Sequence, residues 1–258
     1  MQAEATPIET KGIEEMFRIS FSEQDLKDLR DTLKDMKNPV EVYTFIDGDC
    51  PYCEKTVELM NIIAEASPEI DGGRMIKHIV VDRSRDGDSL FQRFRVERVP
   101  TVAMVEGYVR YTGMPAGEEV RGLVETIIRI SQGESDLSPS TVEKVAALKG
   151  DVHIEVVVTP TCPYCPYAAL LANMLAYESF RNGNKVVLAD TVEAYENPDI
   201  ADSYGVLSVP TIAINGSVEF VGLPYEAQLL EEVVEHSEKV WRKKRKKEEL
   251  MKLLDEFE

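Results

Sequence analysis

At 258 residues the chain suits one large domain or two of ordinary size, and its 43% apolar content can build real cores. A net charge of −18 excludes general nucleic-acid binding, which needs a positive field to meet phosphates. The opening MQAEATPIETKGIEE has neither a basic nor an apolar targeting region, so no secretory signal is expected and the chain reads as cytoplasmic. Residues 156–177 carry no charge, but Pro160, Pro163 and Pro166 interrupt them, so a strand, a turn and an apolar helix are expected there and no membrane span.

In chain order the first element is an amphipathic helix over residues 23–36, followed by an apolar, β-branched strand over 40–46. Cys50-Pro51-Tyr52-Cys53 then turns into a helix, CEKTVELMNIIAEA. A strand over 77–82, a short helix, two strands around a glycine turn (101–105 and 108–113) and a closing helix complete the first half. The Ser-, Gly- and Pro-containing SQGESDLSPS, residues 131–140, is the best linker candidate, which divides the chain into 1–135 and 136–258.

The second half repeats the first. A helix over about 140–148 leads to a strand over 152–158, then Cys162-Pro163-Tyr164-Cys165 and the helix CPYAALLANMLAYE. A strand over 185–190, a short helix, strands over 211–215 and 218–222 and a closing helix follow. Val99-Pro100-Thr101 falls on Val209-Pro210-Thr211, and Gly113-Met114-Pro115 on Gly222-Leu223-Pro224. Pro100 stands 50 positions after Cys50, and Pro210 stands 48 after Cys162. Ordered matches at nearly constant spacing mark a duplication. Each copy, strand–helix–strand and then a hairpin, implies an α/β unit with a mixed central sheet flanked by helices. The six basic residues from Arg242 to Lys247 read as a solvated helix extension.

Each first cysteine is expected to end a strand and open a helix, where unpaired amides and the helix dipole stabilise a thiolate, the attacking species in disulfide exchange. Pro51 and Pro163 suit a helix's first turn. The second cysteine follows one turn later on the same face. Cys50 and Cys162 are therefore the candidate nucleophiles, and Cys53 and Cys165 the resolving thiols. Both pairs are therefore expected to stand open to solvent. Pro166 removes a donor just after the first turn, so a slight bend is expected.

Zinc competes for the same cysteines, but the two pairs belong to different repeats, and His78, His153 and His236 recur at no matched position. No metal and no cofactor are called for. A static staple is also disfavoured, because a loop this small constrains the unfolded chain very little. A proline opening a sheet strand is awkward, and cis bonds at Val99–Pro100 and Val209–Pro210 relieve it. The backbones of Val99 and Val209 could then pair with an extended substrate segment.

Cys-x-x-Cys on a strand–helix turn, with Val-Pro-Thr some fifty residues later, resembles the thioredoxin fold, and Cys-Pro-Tyr-Cys resembles its glutaredoxin-type variant. Two fused units with complete motifs resemble the protein disulfide oxidoreductases of hyperthermophilic archaea and bacteria. That resemblance implies two tandem thioredoxin-fold units that reduce, form or isomerise disulfides of client proteins in the cytoplasm and are themselves reduced by thioredoxin reductase. It also implies substrate contacts at Val99, Pro100, Val209, Pro210, Tyr52 and Tyr164. The alternative is an electron-relay module between a flavoprotein reductase and a peroxiredoxin-type partner, against which two intact thiol pairs count. A binding scaffold with incidental thiols is a third reading. Where many thioredoxins carry a buried acid, six residues before the first cysteine, this chain has Thr44 and Val156, with Glu41 and Glu155 nearby at different offsets. Asp47, Asp49 and Glu54 around Cys50 raise a thiol pKa, whereas Thr159, Thr161 and Pro166 around Cys162 do not, so Cys162 is expected to be the more acidic thiol.

Overall fold

The computed structural model describes the backbone of residues 7–255 and the side chains of residues 12–253. Its N-terminal half runs α1 (Pro7–Met16), α2 (Glu23–Leu33), β1 (Val40–Ile46), α3 (Cys53–Ala66), the short hairpin β2 (Glu69–Ile70) and β3 (Gly73–Arg74), β4 (Ile76–Asp82), α4 (Arg83–Asp86), α5 (Ser89–Phe94), β5 (Thr101–Met104), β6 (Val109–Thr112) and α6 (Glu119–Gln132). The C-terminal half runs α7 (Pro139–Ala147), β7 (Val152–Val158), α8 (Cys165–Arg181), β8 (Val187–Glu193), α9 (Pro198–Ser203), β9 (Thr211–Ile214), β10 (Ser217–Val221) and α10 (Glu226–Asp255). The basic run 242–247 lies within α10 and is exposed, as a solvated helix extension should be.

Local chemistry sets many of these boundaries. Ser22 and Asp25 form a capping box that starts α2, and Ser138 caps α7 with Pro139 in its first turn. Gly133, in the left-handed region at φ 74°, ends α6.

The two halves do not keep separate sheets. One eight-stranded sheet runs β10-β9-β7-β8-β6-β5-β1-β4, joined where β6 lies parallel to β8 with Val109 opposite Ala189 and Thr112 opposite Val192. This edge pairing was not foreseen, and it explains why β8 outlasts the strand expected to end at 190. Held between β6 and β7, the chain stays extended to Glu193, which stands opposite Val158. The expected strand ends at Asp190, a carboxylate that usually marks a solvated end but is here buried against Arg110.

Alternation along the strands sends residues to two layers. Val42, Tyr111, Ile154, Val156 and Ala189 face a core shared by both halves and covered by α3, α6 and α8. Phe45, Val81 and Ala103 face a smaller cluster with Phe91 and Phe94. Helices α6 and α8 run side by side in the same direction: Gly122 meets Pro166, Thr126 meets Asn173, and the Ile130 and Gly133 carbonyls accept from Tyr177 and Arg181. Asn173 Nδ2 also donates to the buried Tyr111 hydroxyl at 3.0 Å. Across β6 and β8, Arg110 Nε donates to Asp190 Oδ2 at 2.7 Å in a largely buried ion pair. No described helix is long and apolar enough to cross a membrane; residues 156–177 form the end of β7, a turn and most of α8.

Candidate active sites

Each half closes one disulfide, Cys50 to Cys53 and Cys162 to Cys165, with Cα atoms 5.4 Å apart in both. The active-site helices begin at the second cysteine and not at the first, because Tyr52 and Tyr164 occupy the N-cap position. The first cysteine therefore sits ahead of the helix. At the C-terminal site the Cys165 N–H donates to Cys162 Sγ at 3.1 Å. Pro166 lies in the first turn of α8, where a missing N–H leaves no helical bond unmade.

The expectation that both pairs stand open to solvent is corrected. Cys50 is half-buried, but Cys162 is only 6% exposed and Cys165 is fully covered. Cys53 is covered too, at 4% exposed, and at the C-terminal turn the other half packs alongside: the Glu118 N–H donates to the Pro160 carbonyl at 2.9 Å, and Gly122 lies against Pro166. Gly117 is required there. Its φ is 58°, and a Cβ would come within 2.2 Å of the Pro160 oxygen.

Both Val99–Pro100 and Val209–Pro210 are cis, as expected. Sheet register brings them to the cysteine turns: Thr101 pairs with Phe45 and Thr211 with Val157, each at the end of the strand that leads into the turn. Pro100 and Pro210 are buried, and Val99 and Val209 are half-buried. The two tyrosines differ. Tyr52 is half-buried, its ring 4.6 Å from that of Phe17, whereas Tyr164 is 64% exposed. Burial pushes the Tyr52 hydroxyl pKa up, and Glu196 and Glu193 of the C-terminal half push it further.

Neither Glu41 nor Glu155 takes the place of the usual acid, since both point away from the face that carries α3 and α8. Glu41 accepts from the Tyr43 hydroxyl at 2.9 Å, and Glu155 accepts from the Tyr204 hydroxyl. At the N-terminal site Thr44 donates to His78 Nε2 and His78 Nδ1 donates to Asn61 Oδ1, both at 2.8 Å, and burial pushes the His78 pKa down to about 4. A neutral polar chain thus occupies the acid's position there. At the C-terminal site Val156 is apolar, with Thr191 beside it in register. Sequence reasoning missed three acids near the seam, Glu119, Glu193 and Glu196. Burial pushes their pKa values up to about 8, about 7 and about 7. Nothing in their local sequence distinguishes them from surface glutamates. Asp47 is likewise less isolated than it looked, since Arg83 lies 3.4 Å away.

Comparison with known proteins agrees with this geometry. A protein disulfide oxidoreductase from Aeropyrum pernix K1 is 53% identical, covers 87% of this chain and 97% of its own, and superposes with a TM-score of 0.85. A thioredoxin from Methanocaldococcus jannaschii is 39% identical over 82 residues, which is 32% of this chain and 92% of that protein. The N-terminal domain of an alkylhydroperoxide reductase subunit from Enterococcus faecalis has a TM-score of 0.71 at 20% identity, over 82% of this chain and 99% of its own, a likeness of fold alone. The thioredoxin-domain family model matches residues 40–125 and again 152–235. The chain belongs to the thioredoxin-domain family and carries two copies of that domain in tandem.

Proposed function

We propose that this thiol–disulfide oxidoreductase works on protein clients at both sites, with Cys50 and Cys162 attacking and Cys53 and Cys165 resolving. A Cys50 or Cys162 thiolate attacks a client disulfide, forms a mixed disulfide and releases one client thiolate. The neighbouring cysteine then closes the ring and frees the second client sulfur. Run backwards, the same steps oxidise a client, and run partway, they reshuffle one. The observation that carries the reading is the same in both halves: a Cys-x-x-Cys disulfide at a helix mouth, with a cis Val-Pro bond brought alongside by strand register.

In this reading the Val99 and Val209 backbones pair with an extended client segment, Pro100 and Pro210 shape that edge, and Tyr52 and Tyr164 border it. Residues 1–135 and 136–258 are the two units. Clients recruited in the cytoplasm and electrons drawn from thioredoxin reductase complete the proposal, supported by the family resemblance. The relay alternative is weaker: its structural likeness extends to the fold, and two complete thiol pairs exceed what a relay needs.

The test is refolding of a scrambled-disulfide protein in glutathione buffer by C50S/C53S, by C162S/C165S and by the protein lacking all four cysteines. Each two-cysteine variant should retain exchange activity, and the last should have none. Full activity without cysteines would sink the reading.

A further inference from the structure

We propose that Glu219, Glu232 and His236 bind one divalent transition-metal ion of the zinc class, which ties the last strand of the sheet to the last helix. Among the described residues this is the only group of three or more His, Cys, Asp or Glu side chains whose ligand atoms converge, all of them within 4.8 Å of one another. His236 Nε2 and Glu219 Oε1 lie 2.9 Å apart. Ligand atoms of a tetrahedral ion with bonds of about 2.0–2.1 Å stand about 3.3 Å from each other, so small side-chain rotations close these three donors on one ion.

The fold builds the group from two elements. Glu232 and His236 are one turn apart on α10 and share a face. That face looks toward the sheet: Leu229, Leu230 and Val233 join the shared core, and His236 is only 8% exposed. Glu219 comes from β10, the outermost strand, which pairs only with β9. Strict alternation would put Glu219 and Phe220 on opposite faces. Instead the pairing slips. Val218 stands opposite Ala213 and Phe220 opposite Ile212, so Glu219 is the extra residue of a bulge. Phe220 thus packs on the core while Glu219 reaches His236 on the same side. The first half has no such device. Arg110 stands three residues after Gly107, as Glu219 stands three after Gly216. It pairs with Ala103 in regular register and reaches Asp190.

The donor set selects the class of ion. An imidazole ligand favours zinc and its neighbours in the first transition row over magnesium and calcium, and the two carboxylates bring negative charge to the cation. Lys239, the ammonium close by, is held by Glu235 at 2.6 Å and by neither ligand carboxylate. On binding, the ion replaces the proton between His236 Nε2 and Glu219 Oε1, and that proton leaves to solvent. The ion takes the Nε2 lone pair and one oxygen from each glutamate, and water completes its shell.

The ion thereby anchors a strand that leads to the C-terminal cysteine turn. Just past the end of β10, the Gly222 N–H donates to the Pro210 carbonyl at 2.7 Å. A histidine without a matched partner in the first half gave no sign of this in the sequence, because its carboxylate partners meet it only through the bulge and the helix face.

The test uses the tag-free, full-length protein in its oxidised form, whose cysteines are closed in disulfides and offer no thiolate to a metal. After treatment with a chelator and its removal, zinc chloride is titrated calorimetrically, and cobalt(II) is followed by its visible absorption. One zinc per chain should bind, and zinc should raise the guanidinium midpoint. His236→Ala and Glu232→Gln should each weaken binding by about a hundredfold or more, remove the cobalt bands and abolish the rise in midpoint. Glu231→Gln, at an exposed neighbouring position, should bind zinc as the parent does. Glu232→Gln keeps the size of a half-buried side chain and provides the readout if H236A folds poorly. No zinc binding by the parent overturns the proposal. So does equal binding by parent, H236A and E232Q, which would mark adventitious capture by surface carboxylates. Magnesium bound as tightly as zinc overturns it too, because the imidazole would then have no part in the site.

Discussion

The Cys165 N–H donates to Cys162 Sγ over 3.1 Å, and among the described residues no backbone amide makes the same contact with Cys50 Sγ. A donor aimed at sulfur favours the thiolate, and here it adds to the helix-terminus field. Burial of Cys162 opposes this by disfavouring its thiolate; we expect the amide donor to outweigh it, making Cys162 the more acidic of the two first cysteines and its disulfide the more oxidising. A difference of about one pKa unit corresponds to about 1.4 kcal/mol, or about 30 mV for this two-electron couple. Arg83 beside Asp47 narrows the gap without reversing it, since Asp49 and Glu54 remain. Titrating the thiolate absorbance of reduced C50S/C53S and C162S/C165S proteins measures the order, and a lower value at Cys50 refutes it.

Gly117 lets the two halves meet at the C-terminal cysteine turn. Gly117→Ala adds a Cβ 2.2 Å from the Pro160 oxygen on a backbone at φ 58°. Strain and overlap together should cost about 2 kcal/mol or more, read as a lower guanidinium midpoint. Exchange at Cys162 should change more than exchange at Cys50, because the displaced segment packs on the C-terminal cysteine turn. Equal stability of variant and parent would show that the close approach is not maintained in solution.

Arg110 and Asp190 form an ion pair across the strand seam with side chains 12% and 6% exposed. Arg110→Ala leaves a buried carboxylate without its partner, which should cost about 3–5 kcal/mol. The double change to Arg110→Met and Asp190→Leu should recover much of that, because no charge is then stranded. Denaturant titrations of the single and double variants decide it; a double variant as unstable as the single one contradicts the account.

Stability should also depend on pH through the seam. Burial raises the Glu119 and Glu193 pKa values from 4.5 to about 8 and about 7. The folded state then holds protons that the unfolded chain has already released. The stability they contribute is full below about pH 4.5 and is lost as pH rises through the folded values, at up to about 1.4 kcal/mol per pH unit for each group. Unfolding at about pH 5, 7 and 9 should show the parent weakening relative to E119Q/E193Q as pH rises. A parent that gains on the variant over that range contradicts the sign.

The motifs were legible because their chemistry is local. Cysteine spacing, the proline between the cysteines, and Val-Pro-Thr at the start of a strand announce a redox turn and a cis edge without knowledge of distant contacts. Strand β7 was placed at its observed limits, since alternating β-branched residues bury one face wherever the strand lies. The end of β8 was not, since β6, some eighty residues earlier, pairs with it as far as Val192 and β7 holds Glu193 opposite Val158.

From the sequence alone came the duplication, the α/β units and the two Cys-x-x-Cys pairs, all carried by short-range patterns of spacing and hydrophobicity. The tertiary structure alone decided that the two sheets join, that Cys162 is nearly buried, and that Glu119 and Glu193 are buried as well. Those outcomes depend on the docking of β6 on β8 and of α6 on α8. A glutamate on a helix has the same local sequence whether its partner is water or a neighbouring helix, so burial, and the proton affinity that follows from it, is settled only when the chain packs.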